Sequence, residues 1–275
     1  MSRYDRQSFL GPNSDSVISD ILVGFVGAGG GNSHTVQQYA HIGGRRAVIV
    51  DPDIIEDTNL NRLVGGTIAD VHASRHKVDI AYRVISGVVN DHEVTVRKTD
   101  WQSAMADLKG CDVIIGGVDS VVAKDQLDDF CKRYCIPYID MGMDVHPHGE
   151  HFQIAGQVVL TSPGGPCLRC LNVIKPEDLV REHENYGAAG SKPQVVWPNG
   201  VLASTAIGLL VQLITPWHAN TKLTQYLEYD GNAHTMRVSQ RLQVLRFDGC
   251  PHHPKDGVGD HRFDIRNLPP PLGDR

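Results

Sequence analysis

Apolar positions along the chain fall into short unbroken runs that alternate with segments of helical period. Residues 21–26, ILVGFV, make one run of strand length, 47–50, AVIV, a second, and 113–118, VIIGGV, a third. Runs this uniform predict strands buried on both faces, as in a parallel sheet covered by helices. Helical patterns lie between them. One covers 33–42. In 76–89, Val78, Ala81, Tyr82, Ile85 and Val88 share one helical face, and Ala123, Leu127, Phe130, Cys131 and Tyr134 do the same after the third run. Shorter strands are predicted at 93–97, 137–140 and 152–161. Residues 201–214 are near-continuously apolar and predict a buried or interfacial helix. Asp230-Gly231, between runs at 223–229 and 235–239, predicts a hairpin. The order points to an α/β fold: a Rossmann-like, doubly wound, mostly parallel sheet with a glycine-rich nucleotide loop, then C-terminal antiparallel strands.

No repeat and no linker divides the 275 residues, so one domain over 1–275 is expected. It begins with a polar arm, 1–20, turning at Gly11-Pro12-Asn13-Ser14. A nucleotide-binding core spans 21–160. Residues 161–265 hold a cysteine site, a long polar irregular segment at 172–198, the apolar helix and the hairpin. A proline-rich flexible tail, 266–275, follows. Irregular segments as long as 172–198 are usually functional.

The first strand leads into Gly27-Ala28-Gly29-Gly30-Gly31-Asn32, and the second ends at Asp51. Glycines let backbone approach phosphate, a helix N-terminus offers unpaired N–H groups, and an acid at the second strand's tip accepts from ribose hydroxyls. The third glycine of G-x-G-x-x-G is replaced by Asn32, so the turn is read with its strand and acid context rather than alone. Asp53 and the polar loop Glu56-Asp57-Thr58-Asn59-Leu60-Asn61-Arg62 follow, where ligand groups gather in open α/β sheets. Lys77 opens a helix, where a cation opposes the dipole and so suggests a task other than stability; a solvated lysine is the plain alternative. Asp119 stands where a strand meets a helix, on the ligand side of such a sheet, with helix capping as its alternative.

Composition narrows the classes. The net charge of −6 argues against a general nucleic-acid or anionic-membrane binder, so a polyanion must be held by local cations. Residues 1–7 are charged with no apolar core after them, and 201–214 is too short to span a bilayer. Six cysteines in a chain of this size form no dense disulfide framework, and a reduced, cytoplasmic protein is expected. Cys167-Leu168-Arg169-Cys170 and the distant Cys250-Pro251-His252-His253 supply a C-x-x-C and a C-x-x-H. Together they suit a structural Cys₃His zinc site of Cys167, Cys170, Cys250 and His253, with His252 as the fallback and unpaired surface cysteines as the alternative. The histidine-rich stretch 146–151 is read as a solvated turn.

Taken in order, Arg3-Tyr4-Asp5-Arg6-Gln7, Gly27-Ala28-Gly29-Gly30, Asp51-Pro52-Asp53, Asn59-Leu60-Asn61-Arg62, Lys77, Val118-Asp119-Ser120 and Cys167-Leu168-Arg169-Cys170 resemble the MoeB/ThiF/HesA family. These proteins are bacterial relatives of ubiquitin-activating E1 enzymes. The resemblance implies ATP- and Mg²⁺-dependent adenylation of a C-terminal carboxylate, usually the Gly-Gly end of a ubiquitin-like protein, with release of pyrophosphate. It further implies that Gly27, Gly29 and Gly30 line the nucleotide turn and that Asp51, with Asp53 beside it, serves the ribose. Asn59, Arg62 and Lys77 would hold phosphates and Asp119 the magnesium. Arg6 would reach a partner's ATP across a homodimer.

The chemistry fits that inventory. A terminal carboxylate has a pKa of about 3.5 and is already ionised, so no general base is needed. The work is positioning and charge neutralisation, done by arginine, lysine and Mg²⁺. Three departures stand out: Asn32, Ser120 with Lys124 where many relatives have Asn and Arg, and a 172–198 segment without cysteine. Cys111, Cys131 and Cys135 fall in strand and helix patterns, so adenylation without a thioester on this chain is expected. Competing readings are a peptide or tRNA-borne carboxylate as substrate, a nicotinamide oxidoreductase, and a non-catalytic E1-like scaffold.

Overall fold

The computed structural model describes residues 3–184, 193–218 and 226–253. The centre of the 172–198 segment, the first residues of the 223–229 strand and the 266–275 tail lie outside the described residues. The strands are β1 (Leu22–Val26), β2 (Arg46–Val50), β3 (Glu93–Arg97), β4 (Val113–Gly116), β5 (Tyr138–His148), β6 (His151–Thr161), β7 (Tyr226–Asp230) and β8 (Thr235–Val238). The helices are α1 (Ser14–Asp20), α2 (Gly30–His41), α3 (Ile68–His72), α4 (Lys77–Ser86), α5 (Met105–Leu108), α6 (Val121–Arg133), α7 (Pro176–Glu184), α8 (Val196–Ile214) and α9 (Arg241–Val244).

All the strands join one sheet in the order β3-β2-β1-β4-β5-β6-β7-β8. Pairing is parallel from β3 through β5 and antiparallel from β5 through β8. Strand period places alternate residues on opposite faces. Val23 and Phe25, Ala47 and Ile49, and Val113 and Ile115 face one core, with α2, α4 and α8 over them. Val26, Val48, Val50 and Ile114 face a second core under α6 and the 101–108 segment. Both faces are therefore dry, and each apolar run reads as continuous because each of its residues is buried on one side or the other.

Several elements depart from expectation. The arm is folded: a 3₁₀ turn covers Asp5–Leu10 and α1 follows. The 137–140 strand runs on to His148 and forms an eleven-pair hairpin with β6, so only Gly149 and Glu150 turn and the flanking histidines lie in strands. The 172–198 segment contains α7. The 201–214 helix begins at Val196, and at 19 residues it is long and apolar enough, by length and composition alone, to cross a membrane. In this fold Leu202, Ala203, Ala206, Leu209 and Leu210 are buried in the first core.

Candidate functional site

Strand order reverses between β1 and β4, and a doubly wound sheet binds ligands at that point, beyond the carboxyl ends of its strands. The glycine turn sits there. Gly27 has φ +83°, and a side-chain carbon on it would stand 2.8 Å from the Gly117 carbonyl oxygen, so the turn passes directly against the end of β4. Gly29 precedes α2 with no side-chain cap, and a side-chain carbon there would meet nothing within 4 Å. The first N–H groups of α2 thus lie beside open space at the positive end of the helix dipole, a place suited to phosphate.

Asn32, standing in place of the family's glycine, is fully buried. Its amide donates to the carbonyls of Gly27 at 2.7 Å, Val26 at 3.1 Å and Ile115 at 3.3 Å, and its oxygen accepts from the Thr35 hydroxyl at 2.9 Å. The substitution stitches the turn to β1 and β4. Asp51, at the tip of β2, is 6% exposed and accepts from Ala28 N at 2.6 Å and Asp53 N at 2.8 Å. Burial pushes its carboxyl up; the Ala28 N–H and Lys77 act in the opposite direction. Lys77 Nζ lies 2.7 Å from Asp53 Oδ2, which draws the lysine toward the end of β2.

Across the turn, the Arg62 stem lies over Gly30, where a side-chain carbon would approach it to 3.2 Å and Asn199 Nδ2 to 2.6 Å. Arg62 Nη1 donates to Thr58 O at 2.6 Å and Asn61 Oδ1 at 2.9 Å. Asn59 is buried and its Oδ1 accepts from Glu56 N at 3.1 Å, so in this structure it shapes the loop that carries Arg62. Ser33 Oγ accepts from Val64 N at 3.0 Å and fixes that loop to α2.

Asp119 is exposed between β4 and α6, and accepts from Gln194 Nε2 at 3.2 Å. Capping of α6 falls to Ser120, whose hydroxyl accepts from Ala123 N at 3.0 Å, leaving Asp119 free of that duty. Lys124 is buried, and its ammonium donates to both Asp140 oxygens at 2.9 and 3.0 Å and to Met141 O at 2.7 Å. Three donors meet three acceptors, so this lysine locks α6 to β5 rather than offering a free cation.

Arg6 lies elsewhere. Its neighbours Tyr4 and Gln7 pack at Gly43 and Ile42, beyond the C-terminus of α2. The glycine turn is at the N-terminus of that twelve-residue helix, about 18 Å away.

The cysteines meet as a cluster. Cys167 and Cys170 sulfurs are 3.6 Å apart, Cys170 and Cys250 are 3.6 Å apart, and His252 Nδ1 lies 3.4 Å from both Cys167 and Cys170 and 4.0 Å from Cys250. A tetrahedron with zinc–sulfur bonds of about 2.3 Å and zinc–nitrogen bonds of about 2.0 Å has edges of about 3.5–3.8 Å. The donor set fits zinc. His252, the fallback, stands with the three cysteines, while the expected His253 has its Nδ1 2.7 Å from Asp129 Oδ1 and groups instead with Cys167 and Asp128. After Cys250-Pro251 it is the more exposed histidine, His252, that sits beside the sulfurs, which C-x-x-H spacing does not reveal.

Sequence reasoning did not single out Gln194, Asn199 and Glu182. Glu182, on α7, accepts from the Ser120 hydroxyl and from Val121 N, the latter at 2.6 Å. The start signal Pro176-Glu177-Asp178 was visible and marks α7, but nothing local says where it docks.

A two-sided sheet with a bare, glycine-lined helix N-terminus at its reversal point, flanked by Arg62, Lys77 and Asp119, defines a nucleotide-binding α/β protein. The ThiF family model matches residues 4–251, and the chain belongs to that family. It is an E1-like, ATP-dependent adenylyltransferase. It is 29% identical over 217 residues to the SAMP-activating enzyme E1 of Haloferax volcanii, covering 77% of this chain and 76% of that one. It is 26% identical over 255 residues to the sulfur carrier protein adenylyltransferase of Thermus thermophilus, covering 89% and 90%. Among solved structures, Escherichia coli MccB with ATP superposes with TM-score 0.70 at 18% identity, over 87% of this chain and 71% of that one, a likeness of fold.

Proposed function

We propose that the chain adenylates the C-terminal carboxylate of a ubiquitin-like protein ending in Gly-Gly. The carboxylate oxygen attacks the α-phosphorus of ATP, the bond to the bridging oxygen breaks, and an acyl-adenylate and pyrophosphate form. The observation that carries this reading is the uncapped α2 N-terminus facing open space at Gly29, with the Arg62 stem over Gly30 on one side and Lys77 near Asp51 on the other. Gly27, Gly29 and Gly30 admit the phosphates, Asp51 and Asp53 stand at the ribose end, and Arg62 and Lys77 neutralise charge, with Asn59 supporting the Arg62 loop. Asp119 holds Mg²⁺, which supplies further neutralisation of the triphosphate. Preorganised charges of this kind lower the barrier for an anion approaching a polyanion.

The adenylate leaves without a thioester on this chain. Cys111 and Cys131 are buried, and Cys135 lies past the C-terminus of α6, about 20 Å along that helix from Asp119. Cys167, Cys170, Cys250 and His252 hold a structural zinc. Arg6, remote from its own glycine turn, acts on the ATP of a second copy in a homodimer. The setting is cytoplasmic, and membrane and nucleic acid play no part.

The test is ATP–pyrophosphate exchange with a Gly-Gly-ended ubiquitin-like protein. Exchange is expected, with its loss in Asp119→Ala and partial recovery on mixing the Asp119→Ala and Arg6→Ala chains. Full exchange in Asp119→Ala overturns the assignment, and a monomer by sedimentation removes the role of Arg6.

A further inference from the structure

The β5–β6 hairpin carries side chains for which the nucleotide chemistry has no use. Only Gly149, at φ +61°, and Glu150 form its turn, so the strands stay paired to the tip. Pairing sets His148 opposite His151 and His146 opposite Gln153. Alternate residues of a strand share a face. Met141 and Met143 pack into the first core, so Asp144, His146 and His148 lie on the other face of the hairpin, and His151 lies there with them. Directly opposed residues have Cβ atoms about 5 Å apart and diagonal ones about 7–8 Å apart, spans that ring side chains cross. Three imidazoles can therefore converge on one ion. One is already oriented: His146 Nδ1 lies 3.1 Å from Asp144 Oδ2, which leaves Nε2 as its ligating nitrogen. A carboxylate on the far ring nitrogen is how metal-binding histidines are commonly held.

We propose that His146, His148 and His151 form a transition-metal site on this hairpin, with Asp144 orienting His146 and a fourth position open to solvent. Imidazole donors suit Zn²⁺, Ni²⁺ or Cu²⁺, whereas Mg²⁺ and Ca²⁺ take oxygen ligands. The site is separate from Asp119. Asp140 is the last β5 residue paired with β4, and His146 lies six residues, about 20 Å of strand, beyond it. β5 runs parallel to β4, so the site rises from the same side of the sheet as the glycine turn. The ion ties β5 to β6 where other support thins. β7 pairs with residues 155–159 of β6, and the Asn232 side chain extends that hold to Ile154 N and Phe152 O. A two-stranded ribbon on its own is marginal in water, so a cross-strand ion orders the tip.

The experiment is calorimetric titration of the zinc-loaded full chain with Ni²⁺. Wild type should take up Ni²⁺, and excess Mg²⁺ should not compete. His148→Ala and His151→Ala should each weaken binding by at least about tenfold, and Asp144→Ala, which frees the His146 ring, by about tenfold. His72→Ala, which removes an exposed histidine on α3, should leave binding unchanged. With Zn²⁺ as the probe, amide hydrogen exchange across 146–151 should slow in wild type and not in His148→Ala. The substituted side chains are exposed, so the fold should persist, with circular dichroism as the control. Absence of Ni²⁺ uptake, or equal uptake by wild type, His148→Ala and His151→Ala, overturns the site. Uptake without slower exchange overturns the ordering of the tip.

Discussion

Replacing Asn32 tests whether a side chain foreign to the family's glycine pattern now holds the nucleotide turn together. In Asn32→Ala the turn loses a buried amide whose two protons serve the Gly27, Val26 and Ile115 carbonyls. Two such bonds contribute about 1 kcal/mol each, and a carbonyl left unmet in a dry site adds about another 1 kcal/mol. Thr35 loses little, since its hydroxyl also donates to the Asn32 main-chain oxygen at 3.0 Å. The expected loss is about 2–4 kcal/mol, a drop in Tm of about 5–10 °C for a domain of this size. Asn32→Asp should cost more than Asn32→Ala: it keeps the shape, removes the donors and points a carboxylate at the same carbonyls. Urea unfolding followed by tryptophan fluorescence and far-UV circular dichroism reads both. Asn32→Ala within about 0.5 kcal/mol of wild type, or Asn32→Asp as stable as Asn32→Ala, refutes the argument.

Two other expectations concern metal and acid. His252→Ala and Cys250→Ser should lose zinc by elemental analysis while His253→Ala retains it; a metal-free His253→Ala protein would restore the C-x-x-H reading. Asp70, buried between Arg83 and Arg75 at 2.6 and 2.8 Å, has its carboxyl held well below the usual carboxylate range, first by the Arg83 hydrogen bonds. Its contribution is present above the unfolded carboxylate range and lost as pH falls through it and below, so Asp70→Asn should be destabilised at pH 7 by about 2–4 kcal/mol, with the gap starting to narrow below about pH 4 and closing only well beneath the usual carboxylate range. A gap that stays constant down to pH 3, measured by urea titration, would count against this.

The parallel half of the sheet was legible because its strands are apolar runs whose every residue enters one core or the other. The glycine turn and Asp51 were legible because close backbone approach and an acid at a strand tip leave few alternatives. The extension of β5 was hidden: Met141 to His148 includes Gly142, Asp144 and Pro147, poor strand formers that stay extended through pairing with β6. The start of α8 was hidden by Pro198 and Gly200; a proline in the first turn of a helix removes no intrahelical bond, so it was no barrier there. Burial of Lys124 was illegible because its partner Asp140 lies on β5, outside the helix that carries the lysine, and nothing local announces the pair. The same holds for Gln194, whose meaning comes from the distant Asp119 it touches.

The Cys/His cluster has a consequence for the protein when it is not folded. Cys170 and Cys250 are 80 positions apart, and an ion gripping both would close a loop of that length. By the chain-entropy account, such a closure removes disorder worth about 4–5 kcal/mol from the denatured chain. Part of what the zinc contributes would therefore be invisible among native contacts. A chain unfolded with its metal still attached would be more compact than one stripped by a chelator, and would regain the C-terminal hairpin from a shorter search.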